Sequence, residues 1–177
     1  MPSHRLLGLS GSLRAASENT KLVHAAARAF DAAEFTLGDI NLPLYDGDLE
    51  AAGIPAVVQT LAQQIRDADA VVISSPEYNK GISGAMKNAL DWISRVEGSV
   101  LADKPVAVMS AAAGRSGGET AQFMLRACLV PHRANVLVGN GVMVAGAAKE
   151  FDADGNLISA SYQKAVDNLM ADLRAAI

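Results

Sequence analysis

A chain of 177 residues, 50% of them hydrophobic, is long enough to bury roughly 70% of its unfolded surface in one domain. Its formal net charge of −4 supplies no broad field for nucleic acid or an anionic membrane, and no apolar run approaches the roughly 18 residues a membrane span needs. The opening Met1-Pro2-Ser3-His4-Arg5 lacks the apolar core of a signal peptide, and a lone Cys128 excludes an internal disulfide, so the chain reads as cytoplasmic.

The first strand is expected over residues 6–9, Leu6-Leu7-Gly8-Leu9. A loop dense in hydroxyls follows, Ser10-Gly11-Ser12-Leu13-Arg14-Ala15-Ala16-Ser17-Glu18-Asn19-Thr20. Leu22, Val23, Ala26, Ala27 and Phe30 then mark one face of a helix. Such a loop is a ready anion site, because free N–H groups and the positive dipole end meet at the helix start. Its hydroxyls add donors, and Arg14 can grip a phosphate through two bonds. No Gly-Lys-Ser/Thr follows, and there is no Gly-x-Gly-x-x-Gly turn, so a metal-free mononucleotide phosphate suits it best. Glu34-Phe35-Thr36-Leu37 reads as the second strand. Residues 38–56, rich in Asp, Gly and Pro, show no helical period and suggest a functional or interface segment. The next helix covers 57–68, with Val58, Leu61, Ala62 and Ile65 inward.

Val71-Val72-Ile73 is the β-branched run of a strand buried on both faces. Pro76 stops it and pushes Ser75 out of the α region. Residues 76–84 make a polar loop, after which Met86, Leu90 and Ile93 recur at helical spacing. The pattern repeats in Pro105-Val106-Ala107-Val108-Met109, where proline is tolerable as the first strand residue. Its loop is Ser110-Ala111-Ala112-Ala113-Gly114-Arg115-Ser116-Gly117-Gly118, and a helix follows over 119–129, with Cys128 as a packed residue. A fifth strand is expected over residues 134–138, a turn at 152–156 and a final helix over 159–176. That turn lacks the distal Glu of a calcium loop, and His4, His24 and His132 are too scattered to bind a metal. Strands alternating with helices give an α/β fold, a doubly wound five-stranded parallel sheet with helices on both faces, one domain over 1–177; that length and the first loop as a phosphate site make the flavodoxin-like order 2-1-3-4-5 the natural choice. In that order the loops after strands 1, 3 and 4 surround one crevice.

Two motifs carry a family resemblance. Ser75-Pro76-Glu77-Tyr78-Asn79-Lys80-Gly81-Ile82-Ser83-Gly84, followed by Met86-Lys87-Asn88-Ala89-Leu90-Asp91-Trp92, resembles the flavin-contacting loop of the NADPH-dependent FMN reductases. That family includes enzymes described as chromate, quinone and azo-dye reductases. The first loop is similar to the family's FMN-phosphate loop at Ser10, Ser12, Arg14, Ser17 and Asn19. The resemblance covers roughly residues 6–130 and implies FMN as cofactor, NAD(P)H as co-substrate, and quinones, flavins, chromate, ferric complexes or azo dyes as acceptors. It also implies a homodimer or homotetramer, with 42–46 near the contact and Trp92 and Arg95 as candidates for it. The ring edge would meet the backbone of Pro76, Glu77, Tyr78 and Asn79 on one side. On the other it would meet the loop from Ser110 and Ala111 through Gly114, Arg115, Ser116, Gly117 and Gly118. Donor N–H groups at the last two would stabilise negative charge on the ring, and Arg115 would help or would bind the NADPH phosphate. The cofactor carries the redox chemistry, so no catalytic side chain and no metal is assigned.

Two rival readings arise from the same residues. Gly114-Arg115-Ser116-Gly117-Gly118 fits the Gly-x-Ser-x-Gly elbow of a serine hydrolase, but such enzymes need an acid and then a histidine downstream. Here the last histidine, His132, precedes Glu150, Asp152 and Asp154, so none of those three acids can stand in that order, which weighs against the hydrolase. The second rival is a flavodoxin-type electron carrier. At 5% aromatic, with only Tyr78 and Trp92 near the proposed loops, the chain has few rings to clamp a flavin. An alanine- and glycine-rich third loop would leave one face open for hydride transfer.

Overall fold

The structure, a computed structural model, describes residues 4–139 and 141–177; Met1-Pro2-Ser3, within the opening read above as a poor signal sequence, lie outside the described residues. The apolar runs form the middle of the sheet: β1 (Arg5–Ser10), β3 (Ala70–Ser74) and β4 (Pro105–Ala112) are buried almost throughout. On one side β2 (Glu34–Gly38) is the half-exposed edge, and on the other β5 (Asn135–Val136) pairs with the start of β4. All pairings are parallel, as the alternation of elements predicts, and the order β2-β1-β3-β4-β5 is the flavodoxin-like one expected.

Because side chains alternate across a strand, each strand serves two cores. Leu7, Leu9, Val71, Ile73, Val106 and Val108 pack under α3 (Ala56–Asp67), α4 (Gly84–Ile93) and α5 (Glu119–Leu129). Leu6, Ala70, Val72, Ala107 and Met109 pack under α1 (Glu18–Phe30) and α6 (Ala160–Ala175). Helices thus cover both faces. No helix among the described residues is long and apolar enough to cross a membrane.

Two segments differ from the sequence reading. The fifth strand is only two residues long, after which the chain leaves the sheet and returns as β6 (Val142–Ala145), parallel to the end of β4. Side chains of α5 satisfy the interruption: Arg126 Nη1 donates to Leu137 O (2.6 Å) and Gln122 Nε2 to Val142 O (2.7 Å). The irregular stretch before α3 holds a short helix, α2 (Gly47–Ala51), whose N-cap Asp46 accepts from Asp48 N (2.8 Å). It is pinned to α4. Trp92 Nε1 donates to Pro43 O (2.7 Å), Tyr45 N donates to Asn88 Oδ1 (2.8 Å), and the Tyr45 and Trp92 rings meet edge-on at 5.0 Å. Glu50 closes the cluster, accepting from Tyr45 Oη (2.7 Å) and Arg95 Nε (2.9 Å); both bonds hold its carboxyl below the usual range. Trp92 is fully buried, so its role is packing within the chain.

Candidate functional site

Parallel register brings three strand ends level, with Ser10 beside Ser74 and Ser74 beside Met109. The loops that follow emerge at one edge, where open α/β sheets hold ligands. Two backbone bonds extend the pairing into them: Gly11 N donates to Ser74 O (2.7 Å) and Ser75 N to Met109 O (3.1 Å). Close approach makes glycine necessary at position 11, where a Cβ would stand 2.9 Å from Ser75 Oγ and 3.0 Å from Pro76 Cδ.

Between the loops opens a crevice of about 250 Å3. Ser12, Arg14, Glu18 and Asn19 line it from the β1–α1 side, and Pro76, Glu77 and Tyr78 from the β3–α4 side. Ala111, Ala112 and Ala113 form the third wall with Ala147 and Ala148. A cavity of about 190 Å3 between β1, β2 and α3 lies at the strands' other end, lined by Arg5, Glu34 and Asp67, away from these loops.

Asn19 ties the three walls together. Its Oδ1 accepts from Ser74 Oγ (2.8 Å) and Ala111 N (3.0 Å), and its Nδ2 donates to Ala111 O (2.9 Å). Only one amide hydrogen is left to face the crevice. Ser17 is the N-cap of α1, its Oγ accepting from Thr20 N (3.2 Å). Ser10 Oγ accepts from Thr20 Oγ1 (2.8 Å) and faces a neighbouring cavity on the β2 side, which Ser12 also lines. The first two N–H groups of α1, on Glu18 and Asn19, have no partner among the described residues. Arg14, with 64% of its side chain exposed, reaches back to Glu18 Oε2 (2.7 Å) and Ala16 O (3.3 Å).

The β3–α4 loop is a tight turn. Tyr78 and Gly81 exchange backbone bonds of 3.0 Å, and Asn79 and Lys80 both take positive φ, as the central residues of a type I′ turn do. It leaves Tyr78 exposed at the crevice and Asn79 on the surface. Glu77 does more than the sequence suggests. The N-cap of α5 is Gly118, which has no side chain, and Glu77 Oε2 accepts from Ala121 N (3.1 Å) in its place. A carboxylate at that end also complements the helix dipole. Glu77→Ala is therefore expected to lose about 1 kcal/mol of stability and to speed hydrogen exchange at Ala121; unchanged exchange there would deny the cap.

In the β4–α5 loop, Ser110 is fully buried, donating to Gly117 O (2.6 Å) and accepting from Gln122 Nε2 (2.9 Å). Gly117 and Gly118 are buried at the start of α5 with positive φ. Gly114, Arg115 and Ser116 are exposed at the tip and do not line the crevice. Of the residues chosen from sequence, Ser12, Arg14, Asn19, Pro76, Glu77, Tyr78 and Ala111 share the crevice, while Ser10, Ser17, Ser110, Gly117 and Gly118 brace it. Sequence reasoning missed Glu18, Ala147 and Ala148. The last two lie in the 3-10 turn Ala147–Lys149 just after β6, whose alternating Val142 and Val144 were the available signal.

The hydrolase constellation is not assembled, since no histidine among the described residues bonds Ser116. His4 and His24 stand edge-on to Phe30 and Phe35, and His132 is half-buried near Asp91 and Lys87 of α4. No group of three or more His, Cys, Asp or Glu that could hold a metal occurs among the described residues.

Comparison with known proteins decides between the remaining readings. The family model described as NADPH-dependent FMN reductase matches residues 4–149. The chain belongs to that family. An NAD(P)H-dependent FMN reductase, PA1204 of Pseudomonas aeruginosa, is 37% identical over 172 residues, 96% of this chain and 93% of that protein. Probable NADPH:quinone oxidoreductase 1 of Oryza sativa subsp. japonica is 37% identical over 98% of this chain and 92% of its own. The solved structure of FerB, a flavoenzyme NAD(P)H:(acceptor) oxidoreductase from Paracoccus denitrificans, superposes with a TM-score of 0.87 at 30% identity, covering 97% and 96% of the two chains. For a member of the FMN reductase family, the donor set here is apt: helix-start N–H groups, the Ser12 hydroxyl and the Arg14 guanidinium suit a phosphate, and the low alanine wall suits a flat ring.

Proposed function

We propose that the chain is a single-domain FMN-dependent NAD(P)H oxidoreductase that delivers electrons from NAD(P)H to quinones and other small acceptors. The observation that carries this reading is the convergence of three loops on one crevice, lined by Ser12, Arg14 and the start of α1 on one side and by alanines on another. When bound, FMN supplies the hydride and electron chemistry, so the chain's own residues need only bind and orient. Ser12, Arg14 and the free N–H groups of α1 hold the phosphate, with Ser10, Ser17 and Asn19 fixing the loop around it. The backbone of 76–79 and the 110–118 loop flank the ring. The side chains of Ala111–Ala113, Ala147 and Ala148 are too short to cover a ring, which leaves space for a nicotinamide and then an acceptor to lie flat. The exposure of Arg115 at the loop tip favours a co-substrate phosphate over the flavin ring as its partner.

The reading extends to a cytoplasmic homodimer or homotetramer. Supporting it, Phe123 (63% exposed) and Val130 (72%) leave apolar surface open on α5 and in the turn after it, and Met124 of the same helix lies against Gly81 of the Tyr78 loop. Titration of the chain with FMN, followed by NAD(P)H oxidation with a quinone acceptor, tests the function. Flavin binding without NAD(P)H oxidation would make it an electron carrier, and no flavin binding would end the proposal. Arg14→Ala should weaken FMN binding by about 1.5–3 kcal/mol, the worth of a charged phosphate contact. An unchanged dissociation constant would remove Arg14 from the site.

A further inference from the structure

One group in the crevice works against a phosphate. Glu18 sits in the first turn of α1 with 26% of its side chain exposed, and its Oε2 lies 2.7 Å from Arg14 Nη2. It lines the same crevice as Ser12, Arg14 and Asn19. For the helix alone an acid in this turn is favourable, because it meets the positive dipole end. A phosphate monoester at the same place draws on the same dipole end and the same guanidinium, and the two anions repel. Arg14 is the only cation lining the crevice among the described residues. The other acid there, Glu77, is committed to Ala121 N. Glu18 therefore holds the one cation that a phosphate would need.

Resting on the flavin reading above, we propose that Glu18 is a built-in competitor for the FMN phosphate: it holds Arg14 until a phosphate enters and then gives it up. FMN binds more weakly, and exchanges faster, than this loop would otherwise allow. The flavin is thus set up as an exchangeable ligand. Riboflavin carries the same ring without the phosphate, so Glu18 should not affect it. Damage to α1 from losing a first-turn acid would weaken binding, whereas competition predicts that it tightens.

Dissociation constants for FMN and riboflavin are measured by flavin fluorescence in wild type, Glu18→Gln, Arg14→Ala and the double variant. Glu18→Gln should bind FMN about tenfold more tightly, the scale of removing one like charge from a partly solvated site. Riboflavin affinity should stay the same, and the FMN gain should shrink when Arg14 is alanine. FMN affinity unchanged or weakened in Glu18→Gln, with wild type binding FMN normally, overturns this inference alone. So does an equal gain for riboflavin, or an equal FMN gain in the Arg14→Ala background. A wild-type chain that does not bind FMN overturns the flavin reading, and this inference with it.

Discussion

Replacing Asn19 with alanine should cost about 3–5 kcal/mol of folding stability and disorganise the crevice. The side chain is 3% exposed and makes three hydrogen bonds, to Ser74 Oγ and to both backbone groups of Ala111. Its loss strands a hydroxyl, a carbonyl and an N–H in a region where Ser74 is fully buried and Ala111 is 3% exposed. Each orphaned buried group costs about 1–3 kcal/mol, and partial relaxation keeps the total below the full sum. In a domain of this size that lowers the melting temperature by about 10–15 °C. Asn19→Asp is the sharper variant, because it keeps the acceptor but sets a carboxylate oxygen against Ala111 O. It should be destabilised as well. Denaturant unfolding of both variants checks the point, and a loss below about 1 kcal/mol in each would mean the amide is not the tie between α1, β3 and β4.

Gly117→Ala is the second large effect, expected at about 2–4 kcal/mol. At φ +62° a side chain already costs about 1–2 kcal/mol. The added Cβ would also stand 2.6 Å from the carbonyl carbon of Met143 and 2.7 Å from its oxygen, a backbone that cannot swing aside. The β4–α5 loop must move off β6, breaking the bond from Ser110 Oγ to Gly117 O and shifting one wall of the crevice. FMN affinity should fall together with stability. Gly114→Ala is the natural control: a Cβ there meets nothing within 4 Å, though it lies three residues away in the same loop. Equal stability of the two alanine variants would show that loop strain is not set by Met143.

Much of the site was legible because its signals are local. Ser17 in the cap position, hydroxyls ahead of it and Arg14 nearby all belong to one stretch of chain, and the anion-site logic of a helix start acts within that stretch. Roles were harder to read than places. Asn19 reads as a phosphate ligand by position, yet its amide is committed to a strand 92 residues away. Ser110 reads as a ring contact, and its hydroxyl turns out to be a buried brace under Gly117. Glu77 was chosen for its backbone, but its carboxylate caps a helix that begins 42 residues later, after a glycine that cannot cap itself.

The same division runs through the fold. By itself the amino-acid sequence determined the elements whose pattern is self-contained: short apolar runs ahead of polar, Pro- or Gly-bearing loops for β1, β3 and β4, and apolar residues at helical spacing for α1, α3, α4 and α5. Their alternation was enough to call a parallel sheet, and chain length with the first loop as a phosphate site pointed to its order. Only the tertiary structure decided the split of the last strand, the helix between 47 and 51, and the arrival of Ala147 and Ala148 at the crevice. These depend on partners distant in sequence, Gln122 and Arg126 for the gap and Asn88, Trp92 and Arg95 for the pinned segment. Periodicity reports which face of an element is apolar; it carries no information on which remote donor will satisfy a given carbonyl.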